Sequence, residues 1–129
     1  MQPLVNMQLV TNEISIKNNH LPDGQFTIQS QITRNIGVLD ETHSTVELVL
    51  EIPNTEEHPF PVDIRISLTG VFDISTLPAE AHDSFLKLQA IQIMYPYLRT
   101  MLTNITSSSL MPPIVLPIVD VSTLFPEDA

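Results

Sequence analysis

The sequence predicts an α+β fold: a four-stranded antiparallel sheet with helices packed on one face, built as a single domain over residues 1–129. Two observations lead there. Apolar residues alternate with polar ones through the first half of the chain, the period of half-buried strands. After Ile74 that period gives way to spacings of three and four, the period of a helix face. Strands followed by helices make a two-layer α+β arrangement, and the short polar links between the strands argue for an antiparallel meander.

The first strand places Val5, Met7 and Leu9 on one side. Ile14 and Ile16 resume the row after Thr11, Asn12 and Glu13, a spacing that shifts register as a bulge does. Residues 18–24 are dense in turn formers and read as a loop. Phe26, Ile28, Ser30, Ile32, Arg34 and Ile36 form the second row, and Leu39, Asp40 and Glu41 connect it to the third, Val46, Leu48, Leu50 and Ile52. Residues 53–61 break the pattern. The last row is Val62, Ile64, Ile66, Leu68, Gly70, Phe72 and Ile74. A glycine on that inward row predicts close approach of another backbone or a large ring.

Pro78 can open a helix, with Glu80 and Asp83 suited to the positive end of its dipole. Tyr95 precedes Pro96 and is biased away from helical geometry, which predicts a break there and a second helix from Pro96 to about Ser107. The expected face of that helix is Tyr97, Leu98, Met101, Leu102 and Ile105. Residues 111–117 hold three prolines and are expected to run extended over an apolar surface. The strand rows carry enough apolar surface to predict self-association.

The chain has 15 acidic residues against 5 basic ones, a formal charge of −10. An acidic surface repels phosphate backbones, so no nucleic acid partner is expected; the acidity serves solubility or a basic protein segment. No apolar run reaches the roughly 20 residues that span a bilayer, so no membrane insertion is expected. The N-terminal residues lack the features of a secretory signal, and there is no cysteine, so a cytoplasmic setting is expected. His20, His43, His58 and His82 are scattered, and Glu56-Glu57-His58 reads as solvated loop charge, so no metal site is expected. Neither a glycine-rich phosphate loop nor a nucleophile elbow is present; an enzyme and a cofactor are not expected. Tyr95 and Tyr97 read as packing residues, and Arg99 as pairing with an acid or capping carbonyls.

An ordered set of motifs narrows the reading. Thr69-Gly70-Val71-Phe72-Asp73-Ile74, Met94-Tyr95-Pro96-Tyr97-Leu98-Arg99, Met111-Pro112 and Leu124-Phe125 follow one another at spacings that resemble the SecB family of protein-export chaperones. Glu13-Ile14-Ser15-Ile16 resembles that family's first-strand signature. The resemblance implies a homo-oligomer, a dimer or a tetramer of two dimers, that binds unfolded polypeptide clients in apolar grooves without ATP. It makes Ile16, Phe26 and Ile28 the candidate groove residues, and Gly70, Phe72, Tyr95, Pro96, Tyr97 and Arg99 the candidate fold and assembly residues. It also makes Glu13 a candidate contact to the motor SecA. Lys17 and Arg65 stand where the family carries acids, two reversals that predict a weakened SecA contact. Ser109 replaces a family glycine, and a family proline is shifted to Pro117. The other class of function open to the chain is a non-catalytic oligomeric interaction protein that keeps this fold and binds one dedicated partner.

Overall fold

The structure is a computed structural model that describes residues 6–22, 24–116 and 124–125. Val5 and Pro117, each named above in an expectation, and residue 23 of the expected loop lie outside those residues. Four strands, β1 (Met7–Asn18), β2 (Gln31–Val38), β3 (His43–Ile52) and β4 (Val62–Asp73), form one antiparallel sheet. A one-turn 3-10 segment (Ala79–Ala81), a short helix α1 (His82–Ser84), a π-helical turn (Phe85–Gln89) and the long helix α2 (Ala90–Ser108) follow.

The strand order is β1-β4-β3-β2, which corrects the meander. Only β2, β3 and β4 follow one another by short links, and β1 closes against β4 in a Greek key. The link between β1 and β2, residues 19–30, must therefore cross three strand spacings of about 4.8 Å, about 14 Å in all. This also corrects the second row. Phe26, Ile28 and Ser30 pair with no strand, because they belong to the crossover, and the ladder of β2 begins at Gln31. The register shift expected near Asn12 is present between Thr11 and Glu13. The bulge residue is used: Asn12 Nδ2 donates to the Ser67 and Thr69 hydroxyls of β4.

The inward rows of β3 and β4 are buried as the alternation predicts, with Val46, Leu48, Leu50, Ile52 and Ile66 fully inaccessible. The close approach at Gly70 comes from a ring. A Cβ there would lie 2.6 Å from Phe72 Cε2, since Phe72 folds back along its own strand and meets Phe85 edge to face at 5.6 Å.

Helix α2 lies over this face through Ala90, Ile91, Met94, Tyr95, Leu98, Leu102 and Thr106. The break expected at Tyr95 does not occur; Pro96 sits inside one continuous helix. Pro96 lacks the N–H that would bond to the Gln92 carbonyl, and both residues lie on the exposed side of the helix. Burying a single apolar stripe on both sides of Pro96 outweighs the ~3 kcal/mol cost of an interior proline. The helical irregularity falls earlier, in the π turn. There Arg34 of β2 donates through Nη1 to the Lys87 carbonyl (3.1 Å) and stacks over the Phe125 ring at 4.4 Å. Tyr97 is a second correction. It lies off the buried stripe and is 50% exposed, and among the described residues it belongs to neither core cluster.

Candidate functional site: an apolar groove at one end of the sheet

The core divides into two clusters. The first centres on Phe72, Ile91 and Met94 and is closed by β3, β4 and the helical layer. The second centres on Leu50, Ile64, Ile66, Leu98 and Leu102, and is completed by irregular chain: Phe60, the crossover and the segment after α2. Between those irregular pieces lies a groove of about 340 Å³, lined by Phe26, Ile28, Phe60, Pro61, Val62, Met111, Pro112, Pro113, Ile114 and Asn18. None of these side chains is charged. Phe26 and Phe60 meet edge to face at 6.4 Å.

Specific hydrogen bonds hold each wall. Asn54 Oδ1 accepts from Phe60 N at 2.9 Å, while Asn54 N donates to Asp63 Oδ1 at 2.7 Å, which folds residues 53–61 back over the sheet end. Asn19 ties the crossover to that loop: its backbone N–H donates to the Pro61 carbonyl (2.8 Å) and its side-chain amide to the Phe60 carbonyl (3.1 Å). The third wall begins where α2 ends. Leu110 takes a left-handed conformation (φ 62) and is 97% exposed. Met111 N then bonds to Thr106 O and Leu110 N to Ser107 O, the Schellman closure that turns the chain back along α2. Arg99, expected to pair with an acid or cap carbonyls, does the latter: Nε donates to Leu116 O at 3.0 Å.

The structure thus brings Phe26 and Ile28 together in one groove. Ile16 is partly buried beside the same core cluster but lines no part of the groove. Phe60, Met111 and Ile114 were not among the sequence candidates. The segment holding Met111 and Ile114 was expected to cover an apolar surface, and Phe60-Pro61, an apolar pair closing a charged loop, was the signal for the other wall. A larger hollow of about 600 Å³ at the same end is polar, lined by Gln29, Gln31, Glu56, Glu57 and His58 among others. Among the described residues no cluster of three or more His, Asp or Glu is arranged to hold a metal.

The opposite sheet face is polar and ion-paired. Arg65 on β4 reaches Glu13 on β1 at 2.8 Å and Glu51 on β3 at 3.2 Å. Glu47 accepts from the Ser67 hydroxyl (2.6 Å) and the Asn35 amide (3.0 Å), and these bonds hold its carboxyl below the ordinary range. Lys17 stands opposite Asp63 in the β1–β4 register. Glu13, the candidate SecA contact, therefore has its carboxylate engaged by Arg65. Burial pushes the Tyr95 phenol upward, away from ionisation. No helix among the described residues is long and apolar enough to cross a membrane.

Comparison with known proteins agrees with this architecture. The family model described as preprotein translocase subunit SecB matches residues 2–129. Uncharacterized protein MJ0357 of Methanocaldococcus jannaschii is 25% identical over 120 residues, covering 91% of this chain and 74% of that protein. The protein-export protein SecB of Zymomonas mobilis is 24% identical over 118 residues, covering 88% of this chain and 72% of the relative. Among solved structures, the SecB-like chaperone of Mycobacterium tuberculosis, in complex with a ChAD peptide from the HigA1 antitoxin, superposes with a TM-score of 0.74. It covers 89% of this chain and 90% of its own, at 12% identity.

Proposed function

The chain belongs to the SecB family, and from that premise we propose that it is an ATP-independent holdase that binds unfolded or non-native polypeptides in the groove between Phe26, Phe60 and the 111–114 segment. The observation that carries this reading is the uncharged, aromatic-bearing groove of about 340 Å³, walled mostly by irregular chain at the ends of β1 and β4. Capture there needs no catalytic residue, nucleotide or cofactor. Each large apolar side chain buried contributes about 1.5–3 kcal/mol. Three such anchors approach the ~8 kcal/mol of a micromolar complex before the cost of ordering the client is subtracted.

Assembly into a dimer or tetramer belongs to the same proposal. It is supported by apolar surface that one chain leaves open: Met7 and Ile14 on the edge strand β1, and Leu88 and Tyr97 on the outer side of the helical layer. The working compartment is the cytoplasm. Contact with SecA is proposed to be weak, because Arg65 neutralises Glu13 and Glu51 on the outer face. Lys17→Glu combined with Arg65→Glu is expected to strengthen capture by the basic tail of SecA. Strong capture by the unmodified protein would show that the reversals matter little.

The Mycobacterium tuberculosis neighbour, solved with a peptide of one antitoxin, favours a second reading: an interaction protein dedicated to a single partner. Light scattering separates the two. A holdase at equimolar ratio, without nucleotide, suppresses aggregation of a chemically unfolded substrate. No suppression across a range of ratios excludes it and leaves the dedicated partner.

A further inference from the structure

We propose that Thr103, Thr106 and Arg99 are positioning residues that hold the 111–116 segment as a fixed wall, so that the groove reads the side chains of a client and not its backbone. This rests on the holdase reading and sharpens what the groove accepts. The segment runs back along α2, and four of its polar backbone groups are taken up by that helix. Met111 N bonds to Thr106 O. Ile114 N donates to Thr106 Oγ1 at 2.9 Å, and Ile114 O accepts from Thr103 Oγ1 at 3.1 Å. Arg99 Nε reaches Leu116 O at 3.0 Å.

Thr106 can act this way because its hydroxyl is committed on both sides. Fully buried, it donates back to the helix carbonyls of Leu102 (2.9 Å) or Thr103 (3.1 Å), and its lone pair faces Ile114 N. The two residues between Met111 and Ile114 are prolines and have no N–H. From 111 to 114, then, no backbone N–H remains for an incoming strand. The facing wall is similar: Pro61 has no N–H, and its carbonyl is held by Asn19 N. A client strand added to a sheet edge needs a run of free donors and acceptors, and neither of these two walls offers the donors. What the groove presents is apolar side chain, with Phe26, Ile28, Met111 and Ile114 open to an anchor residue and the buried Phe60 behind them.

The test measures fluorescence anisotropy of a labelled, unstructured peptide carrying aromatic and aliphatic residues, against the full-length protein. Backbone N-methylation of the peptide is expected to leave its dissociation constant within about threefold, while replacing its aromatics by alanine weakens binding about tenfold or more. Thr106→Val strands the Ile114 N–H and is expected to weaken binding about tenfold, with Thr106→Ser restoring it. Thr103→Val is the second variant should Thr106→Val fold poorly. N-methylation that abolishes binding overturns the inference, as do Thr106→Val and Thr103→Val variants that bind like the wild type. Wild-type protein that binds no form of the peptide overturns the holdase reading itself.

Discussion

The two halves of the core are built from the same kinds of residue and end differently. Around Phe72, strand, glycine and helix close on one another: the ring fills the space over Gly70 and meets Phe85 edge to face. Around Leu50 and Leu98 the last layer is a crossover, a loop and a proline-rich return, and these meet with a groove between them. Regular elements bury apolar surface permanently. Irregular ones, pinned at a few hydrogen bonds, leave it available. Both clusters hold fully buried side chains, but only the second borders the groove proposed to take a client.

Substitutions should separate the two. Phe72→Ala is expected to cost about 3–5 kcal/mol in chemical denaturation, because a fully buried ring is lost from a site that cannot collapse. Phe26→Ala, at a half-buried position, is expected to cost under about 2 kcal/mol while abolishing most client binding. Equal stability losses at the two sites would erase the distinction. Next in size, Gly70→Ala should cost about 1–3 kcal/mol through overpacking against Phe72. The double variant with Phe72→Leu should recover part of it in a double-mutant cycle; strict additivity would show that the ring is not the obstacle.

Acid should act away from both clusters, at the β2–β3 turn. Asp40 accepts from the backbone N–H groups of Thr42 and His43, and from their side chains. The Thr42 backbone bond leads the effects that lower its pKa to about 2. A carboxyl with a lowered folded-state pKa contributes stability that is complete above its unfolded value near 4 and is lost as pH falls toward 2. Thermal midpoints of wild type and Asp40→Ala should therefore converge between pH 4 and pH 2; a constant gap would contradict the role given to this turn. The smallest effect is expected at Leu110. Its left-handed backbone suits glycine, and its side chain contacts solvent, so Leu110→Gly should stabilise by about 0.5–1 kcal/mol. A loss of stability would mean that the side chain is used.

The sheet rows beneath both clusters were legible in the sequence because period-two rows survive wherever one sheet face is buried. Val46 to Ile52, Val62 to Phe72 and the bulge near Asn12 follow from spacing; at Gly70 the spacing calls for close approach of a backbone or a large ring, and the ring of Phe72 is what fills it. Strand order was not legible: alternation names the inward face of a strand but not its neighbour, so β1 could be placed in a row and not beside β4. Pro96 misled for a related reason. Its local preference for a break is overridden by burial of the continuous stripe from Ile91 to Leu102. In the groove, Phe26 and Ile28 are candidates through the family resemblance, while their spacing places them in a strand row. Phe60 is not among them, because its place depends on Asn54 and Asn19 folding two loops together, a contact with no periodicity to announce it.

Site-specific photo-crosslinking tests the central claim most directly. A benzophenone side chain placed at Ile28, in the groove, and another at Ser15, on the ion-paired face, can each be challenged with an unfolded client. The account predicts a strong crosslinked product from position 28 and little from position 15. Equal labelling from both positions, or labelling from 15 alone, would contradict it.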